Sequence, residues 1–152
     1  MSDNRKSKVY AIDRGTVIDH IPTPMAIKVV EILGVQQQGI LTIGINFPSN
    51  KLGRKDIVKV EHLILTAETT DRLALVAPTA TINIIDNGKV VEKRPIHIPR
   101  EFSGILRCPN PNCITNVEHV TSHFVREGEG SALAVRCRYC ERRYNKPSDL
   151  VM

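Results

Sequence analysis

The chain has 152 residues, enough for one ordinary domain or for a small domain beside a stapled one. Its charged fraction of 24% is that of a globular protein, and no apolar run approaches the roughly 20 residues needed to cross a bilayer. The formal charge of +5 suits an anionic partner, yet 13 basic and 10 acidic residues precede Pro99 and 8 and 6 follow, which excludes a basic tail.

The opening residues 1–8 are polar and basic without the apolar stretch of a secretion signal, so the expected compartment is the cytoplasm. Residues 9–12 and 16–21 are short apolar stretches broken by Arg14-Gly15 and read as strand, or strand with a bulge. Thr23-Pro24 reads as a helix start. Met25, Val29, Val30 and Leu33 then recur at helical spacing up to Gly34. Residues 40–47 alternate as a strand, Asn50-Lys51-Leu52-Gly53 forms a turn, and the valine- and isoleucine-rich residues 56–65 return antiparallel.

A second helix is expected over 67–77, with Leu73, Val76 and Ala77 on its apolar face and Pro78 ending it. Residues 79–85 form a strand, Asp86-Asn87-Gly88 a hairpin turn, and 89–93 the return. This order predicts an α+β chain whose N-terminal part is a ferredoxin-like antiparallel sheet with two helices on one face. Arg94-Pro95-Ile96-His97-Ile98-Pro99 carries two prolines and reads as an extended connector. The expected division is 1–98 and 99–152. In the second part, 120–126 and 132–138 read as strands around Glu127-Gly128-Glu129-Gly130, giving a small all-β module.

All four cysteines lie in that module, as Cys108-x4-Cys113 and, 23 residues later, Cys137-x2-Cys140. Two short-spaced pairs on separate turns place four sulfurs around one ion, predicting one structural Zn²⁺ per chain. Two disulfides or a redox pair are the alternatives; the first needs an oxidising compartment and the second a different context. His119 and His123 lie between the pairs and read as surface or structural residues, because four thiols already close the sphere. A bound zinc supplies on the order of 10 kcal/mol of folding free energy, which a module of this size needs.

Chemistry elsewhere is sparse. There is no glycine-rich phosphate loop, no dinucleotide fingerprint and no nucleophile with an oxyanion site, so an enzyme is not expected. Lys55 and Lys59, four apart on one strand, project to the same face, and Asp19-His20, Lys89, Lys93 and Arg94 add further charge. Several cations converging from different strands suit a polyphosphate, although alternating lysines on a solvated face are common. Arg136, Arg138, Arg142, Arg143 and Lys146 beside Tyr139 and Tyr144 suggest, as an alternative, a zinc ribbon that binds nucleic acid. Glu141 interrupts that patch, and the expectation is no nucleic-acid and no membrane partner.

The segments Arg14-Gly15-Thr16-Val17-Ile18-Asp19-His20-Ile21-Pro22, Thr42-Ile43-Gly44-Ile45-Asn46, Gly53-Arg54-Lys55-Asp56, Ala77-Pro78-Thr79-Ala80-Thr81 with Asn83, and Cys108-Pro109-Asn110-Pro111-Asn112-Cys113-Ile114 together resemble the regulatory chains of aspartate carbamoyltransferase. The resemblance spans nearly the whole chain. It implies a non-catalytic subunit of pyrimidine biosynthesis, whose first domain binds CTP as inhibitor and ATP as activator, with UTP a further candidate effector. The zinc domain would dock on the catalytic chain, and regulatory homodimers would bridge catalytic trimers. Carried over by motif, the nucleotide site would use Ala11 and Ile12 near the base, Asp19 at the ribose, and His20 and Lys93 at the phosphates. Lys55, Lys59, Asn83, Ile85 and Val90 would complete it, and Cys108, Cys113, Cys137 and Cys140 would hold zinc. Many relatives place a tyrosine next to the base where this chain has Gly88, so that contribution is absent.

Overall fold

The computed structural model describes residues 12–34 and 39–152. Strands β1 (Gly15–Ile21), β2 (Leu41–Ser49), β3 (Gly53–Glu61), β4 (Thr81–Asp86) and β5 (Lys89–Pro95) form one antiparallel sheet in the order β2-β3-β1-β4-β5. Helices α1 (Ala26–Leu33) and α2 (Ala67–Val76) cover one face. The burial follows from strand alternation: Ile18, Val58 and Ile82 are cross-strand neighbours on the covered face and pack with Ala26, Val29, Leu73 and Ala74. This is the ferredoxin-like arrangement with one extra edge strand.

Several boundaries differ from the sequence reading or fall beyond the described residues. Residues 9–11 lie outside the described residues, and Ile12 belongs to no strand. The irregularity in β1 falls between Ile18 and Ile21, where His20 takes φ +57°, rather than at Arg14-Gly15. Helix α1 begins at Ala26, and its N-cap Met25 offers no side-chain bond. The cap comes from the sheet instead: the fully buried Asp56 carboxylate accepts from Ala26 N at 3.0 Å and from Asn46 N at 2.9 Å. A carboxylate there satisfies an orphan donor and meets the positive helix end. In α2 the cap is local, Thr66 Oγ1 accepting from Thr69 N at 3.2 Å.

The β4–β5 hairpin turns through Asn87 (φ 53°) and Gly88 (φ 73°), two successive left-handed residues as a two-residue turn of type I′ requires. That requirement favours glycine at position 88. Strand β5 runs to Pro95, so the first two residues of the expected connector belong to the sheet; Ile96 N then donates to Ala80 O at 3.1 Å and its side chain is buried.

The second sheet has the order β6-β7-β8-β9, from β6 (Glu101–Ser103), β7 (His123–Glu127), β8 (Ala134–Cys137) and β9 (Arg143–Tyr144), with a short helix α3 (Ile114–Val117). Strand β8 starts later than expected because 130–132 make a 3-10 turn. Phe102, Phe124, Leu106 and Val135 form its core together with three of the four cysteines. One more residue joins from the first sheet's layer: Leu75 of α2, only 4% exposed, packs in this second core. Ile98 and Val151 touch both cores. The chain's end is tied in by Arg107 N to Leu150 O and Met152 N to Ile105 O, both 2.9 Å.

Candidate functional sites

Among the described residues the four cysteines form one cluster whose ligand atoms lie within 4.8 Å of one another. Cys108 Sγ is 3.7 Å from Cys140 Sγ, and Cys113 Sγ is 3.7 Å from Cys137 Sγ. These gaps are far longer than a disulfide bond, and all four thiols are free. They match the edge of a tetrahedron of sulfurs about 2.3 Å from a central ion, which is about 3.8 Å. The pairs sit where the spacing put them: Cys108 and Cys113 flank a proline-rich turn before α3, and Cys137 ends β8 with Cys140 on the following turn.

Supporting polar groups hold this geometry, and none of them was legible from the spacing. Asn116 Nδ2 donates to Cys108 O and Asn110 O, each at 2.7 Å; Thr115 Oγ1 donates to Cys113 Sγ at 3.2 Å; Tyr144 Oη lies 3.4 Å from Cys108 Sγ. Burial pushes the Cys137 thiol up to about 12. Burial also raises Cys140, but bonds from the Arg142 backbone and the Asn110 side chain outweigh it and bring that thiol down to about 7. His119 is exposed, and His123 Nε2 pairs with Glu101 Oε1 at 2.7 Å, so neither histidine belongs to the cluster.

The first sheet's other face, opposite the helices, collects most of the remaining candidates. Strand pairing sets Lys59, Val17, Asn83 and Lys93 in one cross-strand row over β3, β1, β4 and β5. Successive residues of that row are one strand spacing, about 4.8 Å, apart. Beside the row, Lys55 Nζ reaches Asp19 Oδ1 at 2.9 Å, and His20 N donates to the same oxygen at 2.7 Å. The His20 ring is held by Thr81 Oγ1, 3.3 Å from Nδ1, while Thr79 Oγ1 donates to His20 O at 2.8 Å. Ile12, Val17 and Ile85 form a separate small apolar cluster, and Val90 pairs with Ile85 across the hairpin. Ala11 lies outside the described residues.

Burial lowers the His20 imidazole below its ordinary value; Asp19 opposes this, and Lys55, Lys51 and Lys93 reinforce it. The Lys59 ammonium is likewise lowered by burial, with Asp19 opposing. An incoming anion opposes that lowering in both groups and favours their charged forms. Asn83 Oδ1 is buried and has no hydrogen-bond partner among the described residues, an acceptor that a ligand or water donor would complete. Val17, Thr81 and Lys51 were missed by the sequence reading; strand register, once known, reveals the first, whereas the other two carry no pattern.

The basic cluster behind the nucleic-acid alternative is largely engaged. Arg136 Nε and Nη2 donate to Glu127 at 2.7 and 3.1 Å, Arg143 Nε shares that carboxylate at 3.1 Å, and Arg138 Nη1 is 3.5 Å from Glu101 Oε1. Three of its five cations thus have acidic partners.

Two family models match the chain in succession: the allosteric domain of the aspartate carbamoyltransferase regulatory chain over residues 7–97, and its metal-binding domain over 100–148. Curated regulatory chains of the same name are similar over most of their length. That of Pyrococcus horikoshii is 55% identical, covering 89% of this chain and 90% of the relative; that of Thermococcus kodakarensis is 51% identical, covering 91% and 92%. That of Methanococcus maripaludis is 45% identical, covering 93% and 95%.

Proposed function

The chain belongs to the family of aspartate carbamoyltransferase regulatory chains, non-catalytic subunits, and from that premise we propose that it senses nucleotides on the helix-free face of its five-stranded sheet. CTP as inhibitor and ATP as activator are the effectors in this reading, with UTP a further candidate. The row Lys59–Val17–Asn83–Lys93 carries it, because it brings two cations and an unsatisfied acceptor from separate strands to one surface beside Asp19, His20 and Lys55. His20 and Lys93 take the phosphates and Asp19 the ribose, while Ile12, Ile85 and Val90 bed the base with Ala11. Lys55, Lys59 and Asn83 complete the set.

The ion in the thiol tetrad is zinc in this reading. Four soft thiolate donors at tetrahedral separations favour it, and a closed sphere leaves the ion a structural role. The division of the chain into residues 1–98 and 99–152 is supported by where the two family models end and begin. The compartment is the cytoplasm, in keeping with four reduced thiols.

The partner is the catalytic chain, and a second regulatory chain pairs along β2. The charge of the two edges supports this: β5 bears Lys89, Glu92, Lys93 and Arg94, guards against pairing, whereas residues 40–50 contain no charge and expose Ile40 and Ile45; each edge also holds one proline, Pro95 and Pro48. A neutral edge meets its own copy without like-charge repulsion, and the two-fold dimer so formed bridges catalytic trimers. Regulation is then linkage: a nucleotide that binds one quaternary state better draws the assembly toward it. Calorimetric titration of the purified chain with CTP and ATP tests the reading; saturable binding is expected, and no binding of either nucleotide overturns it.

A further inference from the structure

The nucleotide site proposed above follows the chain: the base lies at Ile12, the ribose at Asp19, and the phosphates begin at His20. Extending that line past His20 leads to the end of β1, where a depression of about 470 Å³ opens. Pro22 and Thr23 frame it together with Leu52, Gly53, Arg54 and Thr79. Strand register explains its place: β1 and β3 pair as far as Ile21 and Asp56, so the residues just beyond that pair meet at the sheet's end. The depression adjoins the phosphate candidates, because Thr79 Oγ1 donates to His20 O at 2.8 Å and Arg54 directly precedes Lys55 in β3. From His20 to Thr23 is at most about 10 Å of chain.

Among the described residues no acid lines this depression, and its polar groups are the Arg54 guanidinium and the hydroxyls of Thr23 and Thr79. Arg54 Nη1 makes a long contact, 3.4 Å, to Asn46 O, and neither Arg54 nor Lys51 has an acid within ion-pair distance among the described residues. Lys51 sits on the β2–β3 turn, which the 3.1 Å bond from Leu52 N to Ser49 Oγ holds in shape, and its charge reaches the His20 ring. Lys55 differs, since its Nζ already lies 2.9 Å from Asp19 Oδ1. Two uncompensated cations beside hydroxyl donors, just past a compensated one, suit a phosphoryl group that accepts several charge-assisted bonds at once. Resting on the nucleotide reading above, we propose that this depression holds the effector's terminal phosphate, with Arg54 and Lys51 as its cations. Successive residues of β3 face opposite ways, so Lys55 and Arg54 close on the phosphate chain from two sides. The chain is then a sensor of nucleoside triphosphates rather than of the shorter di- and monophosphates, and it reads the phosphorylation state of the pool as well as the base.

The test titrates the full-length chain with CTP and CDP by calorimetry, unaltered and carrying Lys51→Gln with Arg54→Gln. Both positions are exposed, so the substitutions remove no packing, and thermal melting checks that the variant folds. The unaltered chain is expected to bind CTP at least about tenfold more tightly than CDP. In the variant that preference shrinks to within about threefold because CTP alone weakens; CDP keeps its affinity, which a general loss of structure or of surface charge would not allow. Equal affinity for CTP and CDP in the unaltered chain, an unchanged preference in the variant, or a parallel fall of both nucleotides overturns the subsite and leaves the nucleotide reading standing. Failure of the unaltered chain to bind either nucleotide overturns both. Inorganic phosphate separates the two sources of a phosphoryl group: it is expected to compete with CTP and not with CDP, whereas phosphate that binds while CTP is in place assigns the depression to a free anion and overturns the proposal.

Discussion

The two sheets of this chain are both antiparallel, yet they are held together by different means. The first has two helices over one face and a core that runs from Ile18 to Ile96, so its other face is free to carry lysines, a histidine and an unsatisfied amide. The second has four short strands, a core reliant on two phenylalanines, and three of its four cysteines buried within it. A large apolar core leaves room for a ligand face; a small one makes the metal part of the core.

The sharpest way to break this comparison is to remove the metal. Treating the chain with a thiol-reactive mercurial abolishes a site worth on the order of 10 kcal/mol, and residues 99–152 unfold while the first sheet persists. Hydrogen exchange checks it: amides of β7 and β8 lose protection and those of β1, β3 and β4 keep theirs. Equal loss in both sheets contradicts the division.

Leu75 tests the comparison from the other side, because it belongs to α2 but is packed in the second core. Leu75→Ala is expected to cost about 2 to 5 kcal/mol. The cost falls on the metal-binding half, read as earlier unfolding of that half in denaturant with metal release as the signal. A loss confined to the first sheet would show that the contact is incidental.

Smaller effects sharpen the account of the open face. Lys59→Ala and Lys93→Ala each weaken CTP binding roughly tenfold or more, as charge-assisted bonds of about 1.5 to 3 kcal/mol imply, while melting changes little. Unchanged affinity in both moves the site elsewhere. The pH dependence is weaker still. His20 sits below its ordinary value in the free chain, and a bound phosphate raises it, so binding takes up a proton there. The His20 contribution to affinity is present at low pH and is lost as pH rises through the bound-state value. Between about pH 6 and pH 8 the unaltered chain therefore loses more CTP affinity than His20→Gln does, and parallel profiles rule out a protonated His20 at the phosphates.

Much of the first sheet was legible because its signals are local. The alternation over 40–47, the Asn87-Gly88 turn and the Gly34 stop each announce an element within a few residues. What escaped depends on distant partners. Asp56 caps α1 from a strand that begins twenty residues after the helix ends, and Leu75 looks like an ordinary core residue until the second sheet is in place. Strands β6 and β9 and helix α3 are too short to show a period, and the thiol cluster and the contacts around it shape that region. The cysteine tetrad was readable from spacing alone, whereas Tyr144, Asn110 and Asn116 around it carry no motif. For the open face, the lysines and Asp19-His20 were visible as residues, but only strand register sets Lys59 and Lys93 in one row.

The most direct test of the regulatory account is a comparison of catalytic trimers alone, trimers with this chain, and trimers with a chain carrying both Lys59→Ala and Lys93→Ala. Carbamoyltransferase activity is measured against CTP concentration in each. CTP is predicted to change the activity only in the assembly with the unaltered chain, with the response reduced or shifted to at least about tenfold higher CTP in the double variant. An assembly whose activity ignores CTP, or a double variant that responds like the unaltered chain, would contradict the account.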